Sequence, residues 1–171
     1  MPKLMLRMIG DPFLYKTLEL LDIKFEYYEH PPVPTIEEAK KYWKDLKATH
    51  CKNLFFRNHK GDKHYLVILE HNNNLNIKEL EKKLKQGKIS LASEKRLYKY
   101  LRLAPGSVSP FGLIYDKENH VHVFLDENLK KAETISFHPN INTASLIIKF
   151  EDFVRFLQYS GNSFEFIKLY D

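Results

Sequence analysis

The stretch Cys51-Lys52-Asn53-Leu54-Phe55-Phe56-Arg57 constrains this chain more than any other. In an extended strand Cys51, Asn53 and Phe55 share one face, and Lys52, Leu54 and Phe56 share the other. Both faces are largely apolar, so both must be covered, and a strand of this kind belongs inside a sheet that carries a layer on each side. A second run, His64 to Glu70, follows the turn His59-Lys60-Gly61-Asp62, and the two runs predict a β-hairpin.

The rest of the chain supplies the covering layers. Asp11-Pro12 predicts the N-cap and first residue of a helix with Leu14, Leu18 and Leu21 on one face. Residues 25–29 predict a strand, and His30-Pro31-Pro32-Val33-Pro34 breaks it. Thr35 and Glu38 predict a capping box for a helix striped by Ile36, Ala39, Trp43 and Leu46. Asn76 and Glu79 predict the cap of another helix, with Ile77, Leu80 and Leu84 inward and Gly87 at its end. Ser93 opens a fourth helix through Leu97 to Leu101. Residues 113–115 and 121–125 predict a second hairpin around 116–120. Strands follow at 134–137 and 144–150, then a helix striped by Phe150, Phe153, Val154 and Leu157 and closed by Gly161, then a strand at 164–169. Helices and strands mix without strict βαβ alternation. The expectation is a single α/β domain over residues 1–171, a mixed β-sheet surrounded by helices.

Composition narrows the function classes. At 171 residues, 43% hydrophobic and 13% aromatic, the chain can bury a core. No apolar run approaches membrane-span length, and the start carries no secretory pattern, so the expected location is the cytoplasm. The single Cys51 excludes an internal disulfide and suits a reducing compartment. A net charge of +5 favours a polyanionic partner.

Nucleophilic catalysis finds little support. Cys51 inside a strand reads as a small buried hydrophobe, and no nucleophile-elbow or P-loop motif is present. His120 and His122 read as a loop-edge pair, not as zinc ligands, so no metal is expected. Three polar features remain. Lys52 sits on an apolar strand face, where its stem either snorkels to water or its ammonium faces an anion-holding pocket; Asn53 is a second polar group in the same strand. The loop after residue 101 carries Pro105, Gly106, Pro110 and Gly112. It is either a plain connection or a rigid cradle that aims backbone N–H groups at one point. His138 precedes Pro139, with Asn140 and Asn142 beyond. Such polar groups at strand ends can converge on one cleft.

Three segments, taken together, resemble a known family. They are Lys52-Asn53-Leu54-Phe55, Gly106-Ser107-Val108-Ser109-Pro110-Phe111-Gly112, and His138-Pro139 with Asn142-Thr143. Glu29-His30-Pro31 followed by Thr35-Ile36-Glu37-Glu38-Ala39 fits the same pattern. In this order the chain is similar to the YbaK/ProX family of aminoacyl-tRNA deacylases, free-standing relatives of the prolyl-tRNA synthetase editing domain. The His-Pro-x-x-Asn-Thr version resembles the branch that hydrolyses alanyl-tRNA(Pro). Two departures stand out: Lys88-Ile89-Ser90-Leu91 replaces a frequent Arg-Leu-Ser-Phe, and Val33-Pro34 lies where relatives often have Phe.

The resemblance implies hydrolysis, without metal or cofactor, of the ester in tRNA(Pro) mischarged with a small amino acid. It implies catalytic roles for Lys52, Asn53, Gly106 and His138. It implies substrate contacts by Ser107, Val108, Pro110, Asn142, Lys88 and His30. The partner implied is the acceptor end of tRNA(Pro), with prolyl-tRNA synthetase as a protein partner. Two alternatives stay open: a non-catalytic member that binds aminoacyl-tRNA or an amino acid, and a deacylase for cysteinyl or seryl tRNA. An aminoacyl ester needs no protein nucleophile, because water can attack it once it is positioned and its oxyanion is stabilised.

Overall fold

The fold is described from a computed structural model covering residues 8–32, 36–44 and 46–170. In chain order the elements are α1 (Pro12–Leu20), β1 (Glu26–Glu29), α2 (Ile36–Trp43), β2 (Thr49–Arg57) and β3 (His64–Glu70). Next come α3 (Ile77–Leu84), β4 (Ser90–Leu91) and α4 (Glu94–Leu101), followed by a 3-10 turn over Pro110–Tyr115. The chain closes with β5 (His122–Asp126), β6 (Thr134–Phe137), β7 (Ala144–Lys149), α5 (Phe150–Ser160) and β8 (Phe164–Ile167).

The strands form one mixed sheet in the order β1-β7-β6-β2-β3-β5-β8, with β4 pairing beside the end of β2. β2 lies in its interior, antiparallel to β3 on one side and parallel to β6 at its start on the other. Its alternation divides two cores. Phe55 joins Leu66, Ile135, Phe137 and Leu146 beneath α1, α4 and α5, while Phe56 joins Tyr65, Val67 and Phe124 beneath Leu80 of α3. Burying whole Leu and Phe side chains in this way stabilises by about 1.5–3 kcal/mol each.

Capping follows the side chains. The Asp11 carboxylate accepts from the Phe13 N–H at 2.9 Å, Asn76 Oδ1 from Glu79 N–H at 3.1 Å, and Ser93 Oγ from Arg96 N–H at 3.2 Å. The capping box expected at Thr35 lies outside the described residues.

Several expectations are corrected. Residues 113–115 are not a strand. Ser109 Oγ accepts from the Phe111 N–H at 3.1 Å and Pro110 sits at the first helical position, so the segment winds into a 3-10 turn. The second hairpin is therefore absent, and β5 instead runs parallel to β3 and β8. A short apolar run cannot by itself distinguish strand from helix. α3 ends at Leu84 with Lys85 left-handed (φ 54°), before Gly87, and Ile77, its first residue, is 42% exposed. Phe150 opens α5 instead of closing β7. No helix among the described residues is long and apolar enough to cross a membrane.

Candidate active site

The strand that divides the cores also places the candidate site. His50 and Lys52 of β2 point to one face, and β6 runs beside them with His50 level with Ser136. His138 follows two residues after Ser136, just past the end of β6, as Lys52 follows two residues after His50. Lys52 is half-buried and makes no ion pair or hydrogen bond among the described residues. Desolvation lowers its pKa.

His138 Nδ1 donates to the Ala144 carbonyl at 2.8 Å, which leaves Nε2 with its lone pair. Burial lowers the pKa of His138; the bond to Ala144 opposes this and nearby His30 adds to it. The ring is thus neutral at pH 7. His30 lies alongside, its ring 5.9 Å from His138 and 5.9 Å from Tyr42 of α2. Its Nδ1 donates to the Pro31 carbonyl, so Nε2 accepts from the Ser145 hydroxyl at 2.9 Å. The His30 N–H also donates to Thr143 O, tying this segment to the loop before β7.

The glycine loop meets the same end of the sheet. Gly106 holds φ +85°, and a Cβ built there would lie 3.6 Å from Asn142 Nδ2. Ser107 N–H donates to Ala104 O, whereas the N–H groups of Gly106 and Val108 have no partner among the described residues. Ser107 and Pro110 are buried in the loop, and Val108 packs on the first core. The loop thus has a fixed frame and two N–H groups without partners, a donor set suited to a developing oxyanion.

Not every expected residue joins this group. Asn53 points to the opposite face with Cys51 and Phe55, its Oδ1 buried without a partner among the described residues. Lys88 is exposed just before β4, which pairs with Phe56 and Arg57 at the far end of β2. At ~3.3 Å per residue, Lys52 and Arg57 are about 16 Å apart along the strand. Cys51 packs against the first core, and desolvation pushes its thiol up, as a buried hydrophobe requires. His120 and His122 separate: His120 Nε2 accepts from His64 at 2.9 Å, while His122 bonds Ser163 and faces Glu165.

The structure adds residues that the sequence did not single out. Trp43 stacks flat on His50, rings 4.4 Å apart at 5°, and meets His71 at 5.0 Å. His50 is 5% exposed, and desolvation with His71 beside it pulls its pKa down to about 4. Desolvation lowers the pKa of His71, and Lys40 and then Lys52 add to this. Starting β2 two residues earlier would have put His50 on the Lys52 face; Trp43 was masked by its helical spacing, which reads as core.

A half-buried cation, a neutral imidazole and a glycine loop with two unpartnered N–H groups make up the candidate site. The profile of the aminoacyl-tRNA editing domain family matches residues 30–156. The chain belongs to that family and is an aminoacyl-tRNA deacylase by class. It is 40% identical over 152 residues to the prolyl-tRNA editing protein ProX of Acetoanaerobium sticklandii, covering 89% of this chain and 93% of that protein. It is 33% identical over 153 residues to the mouse prolyl-tRNA synthetase associated domain-containing protein 1, covering 87% and 90%. The fold matches the crystal structure of a candidate trans-editing enzyme for prolyl-tRNA synthetase with TM-score 0.69 at 20% identity, over 94% of this chain and 98% of that one.

Proposed function

We propose that this chain acts in trans on tRNA(Pro) mischarged with alanine and hydrolyses the aminoacyl ester. The observation that carries the reading is Lys52, a half-buried cation without an ion pair among the described residues, on the strand whose parallel neighbour β6 leads into the neutral His138. The likeness to a prolyl-tRNA editing protein supports the tRNA assignment, and the His138-Pro139 and Asn142-Thr143 pattern supports alanine.

In this reading Lys52 anchors the terminal phosphate or polarises the ester carbonyl. A water oxygen adds to the carbonyl carbon while His138 Nε2 accepts a hydrogen bond from that water. The oxyanion is received by the N–H groups of Gly106 and Val108. The tetrahedral intermediate then expels the ribose oxygen, which takes the proton, and free alanine and tRNA leave. Because Pro110 and Ser107 are buried, the loop wall is stiff and excludes the larger proline ring by collision. A pocket that only attracts apolar groups discriminates one methylene by about 1–3 kcal/mol.

The test is deacylation of tRNA(Pro) charged separately with Ala, Cys, Ser and Pro. The expected kcat/KM for the alanyl ester exceeds that for the prolyl ester by at least about 10-fold. A ratio near one, or a clear preference for the cysteinyl ester, sinks the alanine assignment.

A further inference from the structure

The sheet face that carries Lys52 and His138 continues past the candidate site. β1 pairs with β7 so that Tyr28 stands opposite Ser145, whose hydroxyl holds His30, and Glu26 stands opposite Ile147. From Tyr28 a groove of about 480 Å³ follows β7 away from the site. Ile147 lies in its wall, and Lys24, Lys47 and Lys149 line it with Glu26 as the one carboxylate among the described residues. At ~3.3 Å per residue, Lys149 is about 13 Å along β7 from Ser145.

The lining is chemically one-sided. Lys24 is paired with Asp22 at 3.2 Å, but Lys47 and Lys149 have no ion pair among the described residues. Tyr28 is 36% exposed, and its hydroxyl donates to Glu26 at 3.3 Å, which holds the ring at the mouth nearest the site. Lys149 also lines the adjoining depression, which Glu133 and Glu151 make acidic. A polyanion entering from the site therefore meets two unpaired cations and is turned aside at the far end. An exposed aromatic ring followed by unpaired lysines is the combination that binds single-stranded nucleic acid without reading its sequence.

We propose that this groove holds the single-stranded nucleotides that precede the esterified terminal adenosine, one base stacking on Tyr28 and the phosphates lying against Lys47 and Lys149. The proposal rests on the deacylase reading above and extends it from the ester to the strand that carries it.

The probe is a labelled RNA tetranucleotide ending in CCA, titrated into the wild type, the Lys47→Ala/Lys149→Ala pair, the Lys47→Arg/Lys149→Arg pair, and Tyr28→Ala. Loss of two single-strand phosphate contacts lowers the log–log salt slope by about 1.4 in the alanine pair. The arginine pair retains the slope. Tyr28→Ala weakens binding roughly 5- to 100-fold through lost stacking. In a second arm, the alanine pair raises KM for alanyl-tRNA but leaves 3′-O-alanyl-adenosine, which lacks the preceding nucleotides, unaffected. Unchanged RNA binding in the alanine pair, equal losses on both ester substrates, or polyglutamate binding as tight as RNA overturns the proposal. RNA binding that depends on these lysines in a wild type that cleaves no ester sinks the deacylase reading and keeps the groove; cleavage of alanyl-tRNA untouched by the variants does the reverse.

Discussion

Lys52 is legible from alternation alone, because a cation between Cys51 and Asn53 must face the same side as Leu54 and Phe56. What alternation leaves open is whether the ammonium finds a counter-ion, and none of the described residues provides one. An unpaired, half-buried cation costs stability, and its pKa falls for that reason. Lys52→Ala should therefore reduce kcat/KM by at least about 100-fold, the usual loss when an electrostatic contact to the reacting group is removed. The melting temperature should stay level or rise. Turnover near wild type in a folded Lys52→Ala protein removes the residue from the mechanism. Asn53 shows the converse: alternation already turns it to the other face, and there its Oδ1 is buried without a partner among the described residues.

The loop and turn between α4 and β5 use two glycines for different reasons. Gly106 needs its positive φ, since a Cβ there meets nothing closer than 3.6 Å. Gly112 needs space: a Cβ would lie 2.8 Å from Leu103 Cδ1 and 2.9 Å from the Leu101 carbonyl. Gly106→Ala should thus cost about 1 kcal/mol of stability and a larger share of turnover, because the strain falls on the N–H groups proposed to receive the oxyanion. Gly112→Ala should chiefly lower the melting temperature, since its clash is with the packed end of α4. Parallel measurements of turnover and thermal unfolding distinguish them; equal effects on turnover would make the loop a connector only. The Gly/Pro signature of this stretch is plain in the sequence, but the 3-10 turn is not. It arises from one hydroxyl cap at Ser109 and from Phe111 seated edge-on against Phe156 at 5.2 Å.

Across the whole molecule, buried histidines tie stability to pH. Arg96 donates to His64 Nε2 at 3.0 Å, and His64 Nδ1 donates to His120, so both ring nitrogens of His64 are committed in the neutral form. Desolvation, with His120 and Arg96 beside it, pulls His64 down to about 4, and His50 under Trp43 is also held at about 4. In the unfolded chain both titrate near 6.5. Between about pH 6.5 and 4 the unfolded state therefore binds more protons, so the contribution is intact above this window and is lost as pH falls through it. Each histidine contributes about 1.4 kcal/mol per pH unit inside the window. The denaturant midpoint should hold from pH 8 to 7 and fall between pH 6 and 5. A flat midpoint over that range would mean that the rings are hydrated or protonated in the folded chain.

Local patterns in the sequence determined the hairpin of β2 and β3, the helix caps at Asp11, Asn76 and Ser93, and the sidedness of Lys52. Each depends on chain neighbours or on the two-residue pleat, and these act before any tertiary contact forms. Tertiary structure alone decided that β6 runs parallel to β2, setting His50 level with Ser136. It decided that Trp43 covers His50 instead of a leucine core, and that Tyr28 meets Ser145 across 117 positions of chain. Strand order and register are set by which apolar faces bury together across the whole sheet, and no window of neighbouring residues contains that information.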